Sequence, residues 1–242
     1  MNQAQMKKLQ DRLKSLKEKK SGILAHFWRP QEGKNLVRLA PYAHGDGPFQ
    51  EYYYHYNLHE SGKPIVCPKR TYGRACAVCD LVSNLWKGDK DDQALAKQLS
   101  AKMRVHTPVL VRGEEDRGIR FWSFGQQVYQ NVLETMVDPD YGDITDPAEG
   151  RDVVVTLTPP STNSPFPQTD LLFKPMQTPL APTSEAIETL LGNTPDLEKL
   201  IEIPDEAELQ GLLATLAGDT GSPDEEGTEY NSKETDKDGL PF

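Results

Sequence analysis

All three cysteines of the 242-residue chain fall within one stretch, residues 55–79, HYNLHESGKPIVCPKRTYGRACAVC. Cys76 and Cys79 form a C-x-x-C pair, Cys67 lies nine residues before it, and two histidines, His55 and His59, open the stretch. Three thiols and one imidazole are the donors of a closed, tetrahedral zinc site, the kind that contributes folding energy and performs no chemistry. One structural Zn2+ is therefore expected on Cys67, Cys76, Cys79 and a histidine. His59 gives H-x7-C and His55 gives H-x11-C; either loop closes, so spacing leaves both open. An odd number of cysteines suits a metal better than a disulfide framework and points to a reducing compartment.

Between the cysteines lie Lys69, Arg70, Tyr72 and Arg74, a basic and aromatic loop that such a metal would hold in place. Surfaces that bind single-stranded nucleic acid pair cations, which neutralise phosphates, with aromatic faces on which bases stack. The same mixture recurs at Tyr52 and Tyr54, and at Arg120 with Trp122. Aromatics on strands are usually core, so no single cluster is specific; three clusters around one metal loop favour binding. Arg38, Lys102, Arg104 and Arg112, on or beside strand segments, complete the expected set of DNA contacts.

The net charge of −10 taken alone disfavours a nucleic-acid partner, but charge is unevenly placed. Residues 1–20 carry seven Lys/Arg against Asp11 and Glu18, whereas residues 204–242 carry eleven Asp/Glu against Lys233 and Lys237. The basic end places Met6, Leu9, Leu13 and Leu16 at helical spacing and reads as a helical arm of residues 1–21. The acidic end offers too little apolar surface to offset the entropy of ordering and is expected to be disordered. It finishes in DGLPF, an apolar tip on an acidic tether, so Asp238, Leu240, Pro241 and Phe242 are candidates for holding a partner protein. No run of about 18 apolar residues exists, so no membrane partner is expected.

The elements that must position these groups are short. Strands are expected at LVRL (36–39), at 49–56, at 104–112, at 118–124 as a hairpin return, at 151–158 and at 171–174. Period-two alternation sets Tyr52 and Tyr54 on one face and turns Tyr53 the same way as His55. Helices are expected at 80–86, 91–103 and 126–136, and at 183–203 with a break near 192–195. About five strands with few helices between them favour a small β-barrel or a β-rich α+β core. A zinc hydrolase would want an open metal position and clustered carboxylates, yet the acidic residues gather in the tail. A duplex-reading finger would want an Arg- or Asn-rich helix after the knuckle, and DLVSNLW has no arginine.

Taken in order, Pro48-Phe49, His55, Cys67, Cys76-x-x-Cys79 and the strand–turn–strand–helix of residues 104–136 resemble the gene-32 type of bacteriophage single-stranded DNA-binding protein. The resemblance covers essentially the whole chain. It implies a five-stranded OB-fold barrel core over 22–203, with an inserted Cys3His zinc subdomain at about 50–103 and flanking helices. It favours His55 over His59 as the fourth ligand. It implies a non-enzymatic protein that coats single-stranded DNA in phage replication, recombination and repair, in the cytoplasm of an infected bacterium. The basic arm would then touch neighbouring copies on DNA. The DGLPF ending is similar to the tips of bacterial single-stranded DNA-binding proteins, which implies that the tail recruits replication, recombination or repair proteins.

Overall fold

The computed structural model describes residues 22–58, 62–162 and 164–219. The expected basic arm, His59 and the DGLPF tip lie outside the described residues. In chain order the elements are β1 (Phe27–Trp28), β2 (Gly33–Leu39), β3 (Gln50–His55), β4 (Ile65–Val66), α1 (Pro68–Tyr72), α2 (Ala77–Leu85) and α3 (Lys90–Leu99). There follow β5 (Lys102–Val111), β6 (Arg120–Phe124), α4 (Gln126–Val137), β7 (Arg151–Thr158), β8 (Gln168–Gln177), α5 (Ser184–Gly192), α6 (Leu197–Leu200) and α7 (Glu206–Asp219). The class is α+β and sheet-rich. Two compact units divide it: the first holds residues 22–49 and 106–196, the second 50–105 and 197–219.

In the first unit the strands run in the order β1-β6-β5-β2-β7-β8. This order has two ends, so the sheet is open, unlike the expected closed five-stranded barrel. The count also exceeds five, because β1 and β4 are two-residue strands too short to leave a periodic signal. Beta-branched residues fill the centre. Val37 of β2 sits between Val111 of β5 and Val153 of β7, and both Val37 and Val153 have no exposed surface. Strand β6 is buried along its whole length, and Trp122 meets Trp28 edge-on at 5.7 Å across the parallel β1–β6 pair. A second cluster, Ala40, Leu110, Ile119 and Leu180, is closed by Ile187, Leu190 and Leu191 of α5.

Arg38 is fully buried within this unit. Its guanidinium donates to the carbonyls of Thr178 (3.1 Å), Leu39 (2.6 Å), Ile144 (2.5 Å) and Asp146. Desolvation by burial lowers its pKa to about 10, against the raising influence of Asp152. Four carbonyls from three segments are thus satisfied by one cation, as buried polar groups require. A Cβ at Gly150 would collide with that guanidinium and with the Ile144 carbonyl, which explains glycine at a position with no positive φ.

The second unit pairs β3 with β4 in an antiparallel ribbon, Tyr54 opposite Val66 and His55 opposite Ile65. The stretch expected as a basic loop is instead the short helix α1. Pro68 opens it, the Cys67 thiol caps it by accepting from the Arg70 N–H at 3.3 Å, and Gly73 ends it at φ 70°. Glycine is favoured there because the left-handed region penalises a Cβ. Helix α3 ends at Leu99, four residues earlier than expected, and Lys102 and Met103 already belong to β5.

The sharpest departure is α7. Disorder was expected from Pro204 onward, yet residues 206–219 are helical. Leu209, Leu213 and Leu216 recur at steps of four and three, a spacing that the surrounding acids conceal in a composition count. All three join the cluster formed by Cys67, Cys76, Val78, Leu99 and Leu58, and Leu209 is fully buried. Truncating a buried leucine costs about 2–5 kcal/mol. Leu209→Ala is accordingly expected to lower the melting temperature by several degrees in calorimetry, and a chain ended after Pro204 to melt below one ended after Asp219.

Candidate metal centre and nucleic-acid interface

His55, Cys67, Cys76 and Cys79 come together in the second unit, with their donor atoms all within 4.8 Å of one another. Each is placed by an element boundary. His55 ends β3, Cys67 caps α1, Cys76 caps α2 and Cys79 lies in the first turn of α2. The Cys67 N–H donates to the Tyr53 carbonyl at 2.7 Å, which ties the first cysteine to the strand that carries the histidine. The first three side chains are buried and Cys79 is partly exposed.

The spacing can be checked against a tetrahedron. With Zn–S near ~2.3 Å and Zn–N near ~2.0 Å, its edges measure about 3.8 Å between sulfurs and about 3.5 Å between sulfur and nitrogen. The Cys76 and Cys79 sulfurs stand 3.5 and 3.6 Å from His55 Nε2, and Cys67 Sγ lies 3.3 Å from Cys79 Sγ. The donor types and the two sulfur–nitrogen edges fit one such ion, while the Cys67–Cys79 edge is shorter than the ideal sulfur–sulfur edge. His55 Nδ1 is 2.7 Å from the Leu99 carbonyl, so the Nδ1–H donates there and Nε2 is left facing the thiols. A backbone carbonyl is the usual outer partner of a metal-binding imidazole. Among the described residues no other group of three or more His, Cys, Asp or Glu side chains forms a candidate metal site.

The cluster's own electrostatics share protons unevenly among its donors. Burial pulls the His55 pKa down, but contacts with Cys67 and Cys76 and the Leu99 carbonyl outweigh it and hold the value up at about 9. Cys76 is the thiol that gives up its proton, because Cys67 and Cys79 stabilise its thiolate by hydrogen bonding; Cys79 is correspondingly raised. Placing Cys76 at the N-terminus of α2 works in the same direction.

The expected nucleic-acid contacts divide by unit. In the second, Lys69, Arg70, Arg74 and Lys102 are exposed and Arg104 is half-buried. Lys69 pairs with Asp80 at 2.8 Å. Arg70 stands over the Tyr53 ring at 4.4 Å, Arg74 over Tyr72 at 5.2 Å and Lys102 over Tyr56 at 5.7 Å. Tyr52 and Tyr54 do share a face, with centroids 6.4 Å apart, but both are buried, and Tyr52 meets Tyr72 edge-on. Tyr53 and Tyr56 therefore carry rings to the cations, and neither was singled out from sequence. Alternation had already turned Tyr53 toward His55, which was the available signal.

In the first unit the four expected contacts are engaged internally. Arg38 bonds the carbonyls described above. Arg112 bridges Asp152 at 2.9 Å and the carbonyls of Leu180 and Pro179. Arg120 is buried against Glu114 at 2.7 Å, and the Trp122 ring lies 4.6 Å from that of Phe124. Cation–aromatic alternation on a strand thus reads the same in sequence whether it faces solvent or core.

A family model described as gp32 DNA binding protein like matches residues 31–217. Comparison with curated proteins gives no match.

The raised pKa of His55 makes metal uptake dependent on pH. A histidine with a raised pKa stabilises the metal-free fold fully below pH ~6.5, and that contribution is lost as pH rises through about 9. At pH 7.5 the imidazole is therefore protonated, and a zinc ion binding there would displace that proton. Calorimetry in two buffers of different ionisation enthalpy is expected to show at least one proton released per zinc. Chelator competition is expected to show affinity rising about tenfold or more per pH unit up to that pH.

Proposed function

The chain belongs to the gp32-like family of DNA-binding proteins, and from that premise we propose that it binds single-stranded DNA without regard to sequence, coating it during phage replication, recombination and repair. The observation that carries this reading is the trio of cation–ring pairs in the second unit: Arg70 with Tyr53, Arg74 with Tyr72 and Lys102 with Tyr56. Each sets a phosphate-neutralising charge beside a ring on which a base can stack. Lys69 and Arg104 extend the positive surface. The contribution of Arg38, Arg112, Arg120, Trp122, Tyr52 and Tyr54 is to shape and support their units, since their groups are engaged or buried.

Zn2+ on His55, Cys67, Cys76 and Cys79 acts structurally, cross-linking β3 to the starts of α1 and α2 so that Arg70, Tyr72 and Arg74 keep fixed positions. The protein binds and does not catalyse. The basic arm of residues 1–21 contacts neighbouring copies on the strand, and Asp238, Leu240, Pro241 and Phe242 recruit replication, recombination or repair proteins. The setting is the cytoplasm of an infected bacterial host.

Each neutralised phosphate contributes about −0.7 to the slope of log affinity against log salt on single strands. Fluorescence titration with oligo-dT is expected to show a steep salt dependence and a strong preference over duplex. Arg70→Ala and Arg74→Ala are each expected to weaken binding several-fold and to make that slope shallower by about 0.7. Equal affinity for duplex would overturn the reading.

A further inference from the structure

Strand β8 ends the first unit's sheet, and its outer edge is open. Ten residues long, it keeps Asp170, Leu172, Lys174 and Met176 exposed, with Leu172 at 61% and Met176 at 74%. Helix α4 approaches β8, and Tyr141 meets Phe173 from one side, yet this row stays in solvent. Which backbone groups point outward follows from the ladder. The Leu36 carbonyl accepts from the Arg112 N–H on the β5 side. In-plane directions alternate along an antiparallel strand, so Asn35 and Val37 face β7. Their partners are Val155 and Val153, so Val154 and Thr156 face β8, where they pair with Leu172 and Asp170. Thr169, Leu171 and Phe173 therefore turn their N–H and C=O groups outward, where no strand takes them up among the described residues.

We propose that this edge pairs antiparallel with the same edge of a second copy, about a two-fold axis through Leu172. The charge pattern selects that occupant and that register. Asp170 and Lys174 flank Leu172 at equal distances, so a register centred on Leu172 sets Asp170 opposite Lys174 of the other copy, twice. It also sets Leu172 on Leu172 and exchanges backbone hydrogen bonds between Leu171 and Phe173 in both directions. A register centred on Leu171 or on Phe173 brings no unlike charges together. Beyond Lys174 the pairing stops, because Pro175 has no N–H and the β7–β8 register breaks between Val153 and Arg151. Lysine, proline and a bulge are devices that limit edge pairing, and here they confine it to about six residues. An interface so short is well under the ~1,200 Å² of a stable complex. The association is reversible and concentration-dependent.

The test uses the full zinc-loaded chain in sedimentation-equilibrium runs over a wide concentration range. Dimer formation is expected, weakened about tenfold by Asp170→Lys, which sets like charges opposite each other, and restored by Asp170→Lys combined with Lys174→Asp. In parallel, Leu172→Cys is expected to give a covalent dimer under mild oxidation, whereas Thr169→Cys gives none. A chain that stays monomeric throughout, a double charge swap as weak as the single one, or equal cross-linking from both cysteines would each overturn the proposal. None of these readouts involves DNA, so their outcome is independent of the DNA-binding reading.

Discussion

Four side chains from three elements converge on one point in the second unit, and the order of that unit depends on their staying together. Strand β3 is held by β5 as well as β4, but the two-residue β4 and the five-residue α1 are pieces of a size that is marginal alone in water. They meet at the cluster of His55, Cys67, Cys76 and Cys79, set among Leu58, Val78, Leu99 and Leu209. Donors and apolar residues form one core here. The Cys67 thiol is at once a helix cap, a core atom and a candidate ligand, so the positions of Arg70, Tyr72 and Arg74 follow from the centre of the unit outward.

Much of this centre was legible because ligand chemistry is local. A C-x-x-C pair, a third cysteine and a histidine at the end of a strand need no knowledge of distant contacts. The preference for His55 over His59 came from the family resemblance, and among the described residues His55 stands in the cluster. The helix Pro68–Tyr72 was not legible: a Cys-Pro start and a glycine stop enclose only five residues, too few for a periodic signal. Helix α7 was missed for another reason. Its leucines are spaced for burial, but their partners Val78 and Leu99 lie more than a hundred residues away in sequence.

The arginines illustrate what no local pattern conveys. Arg38, Arg112 and Arg120 sit among strand residues much as Arg104 does, yet each of the three satisfies carbonyls or carboxylates of its own unit. A guanidinium with five donors suits such internal bracing, because it can close several backbone acceptors at once. Whether a strand cation looks inward or outward is decided by which segment packs over it. For Arg38 that segment contributes Ile144, Asp146 and Thr178, more than a hundred positions later.

The composition of the second unit from two separated segments also has a consequence for synthesis on the ribosome. The metal donors and α3 are complete once Leu99 has emerged, but Leu209, which seals the same core, follows 110 residues later. At ~5–20 residues per second the nascent unit waits roughly 5–20 s with its leucine-binding face uncovered. An ion bound in that interval would hold the thiols together and away from oxidation, so its first service would be to the growing chain.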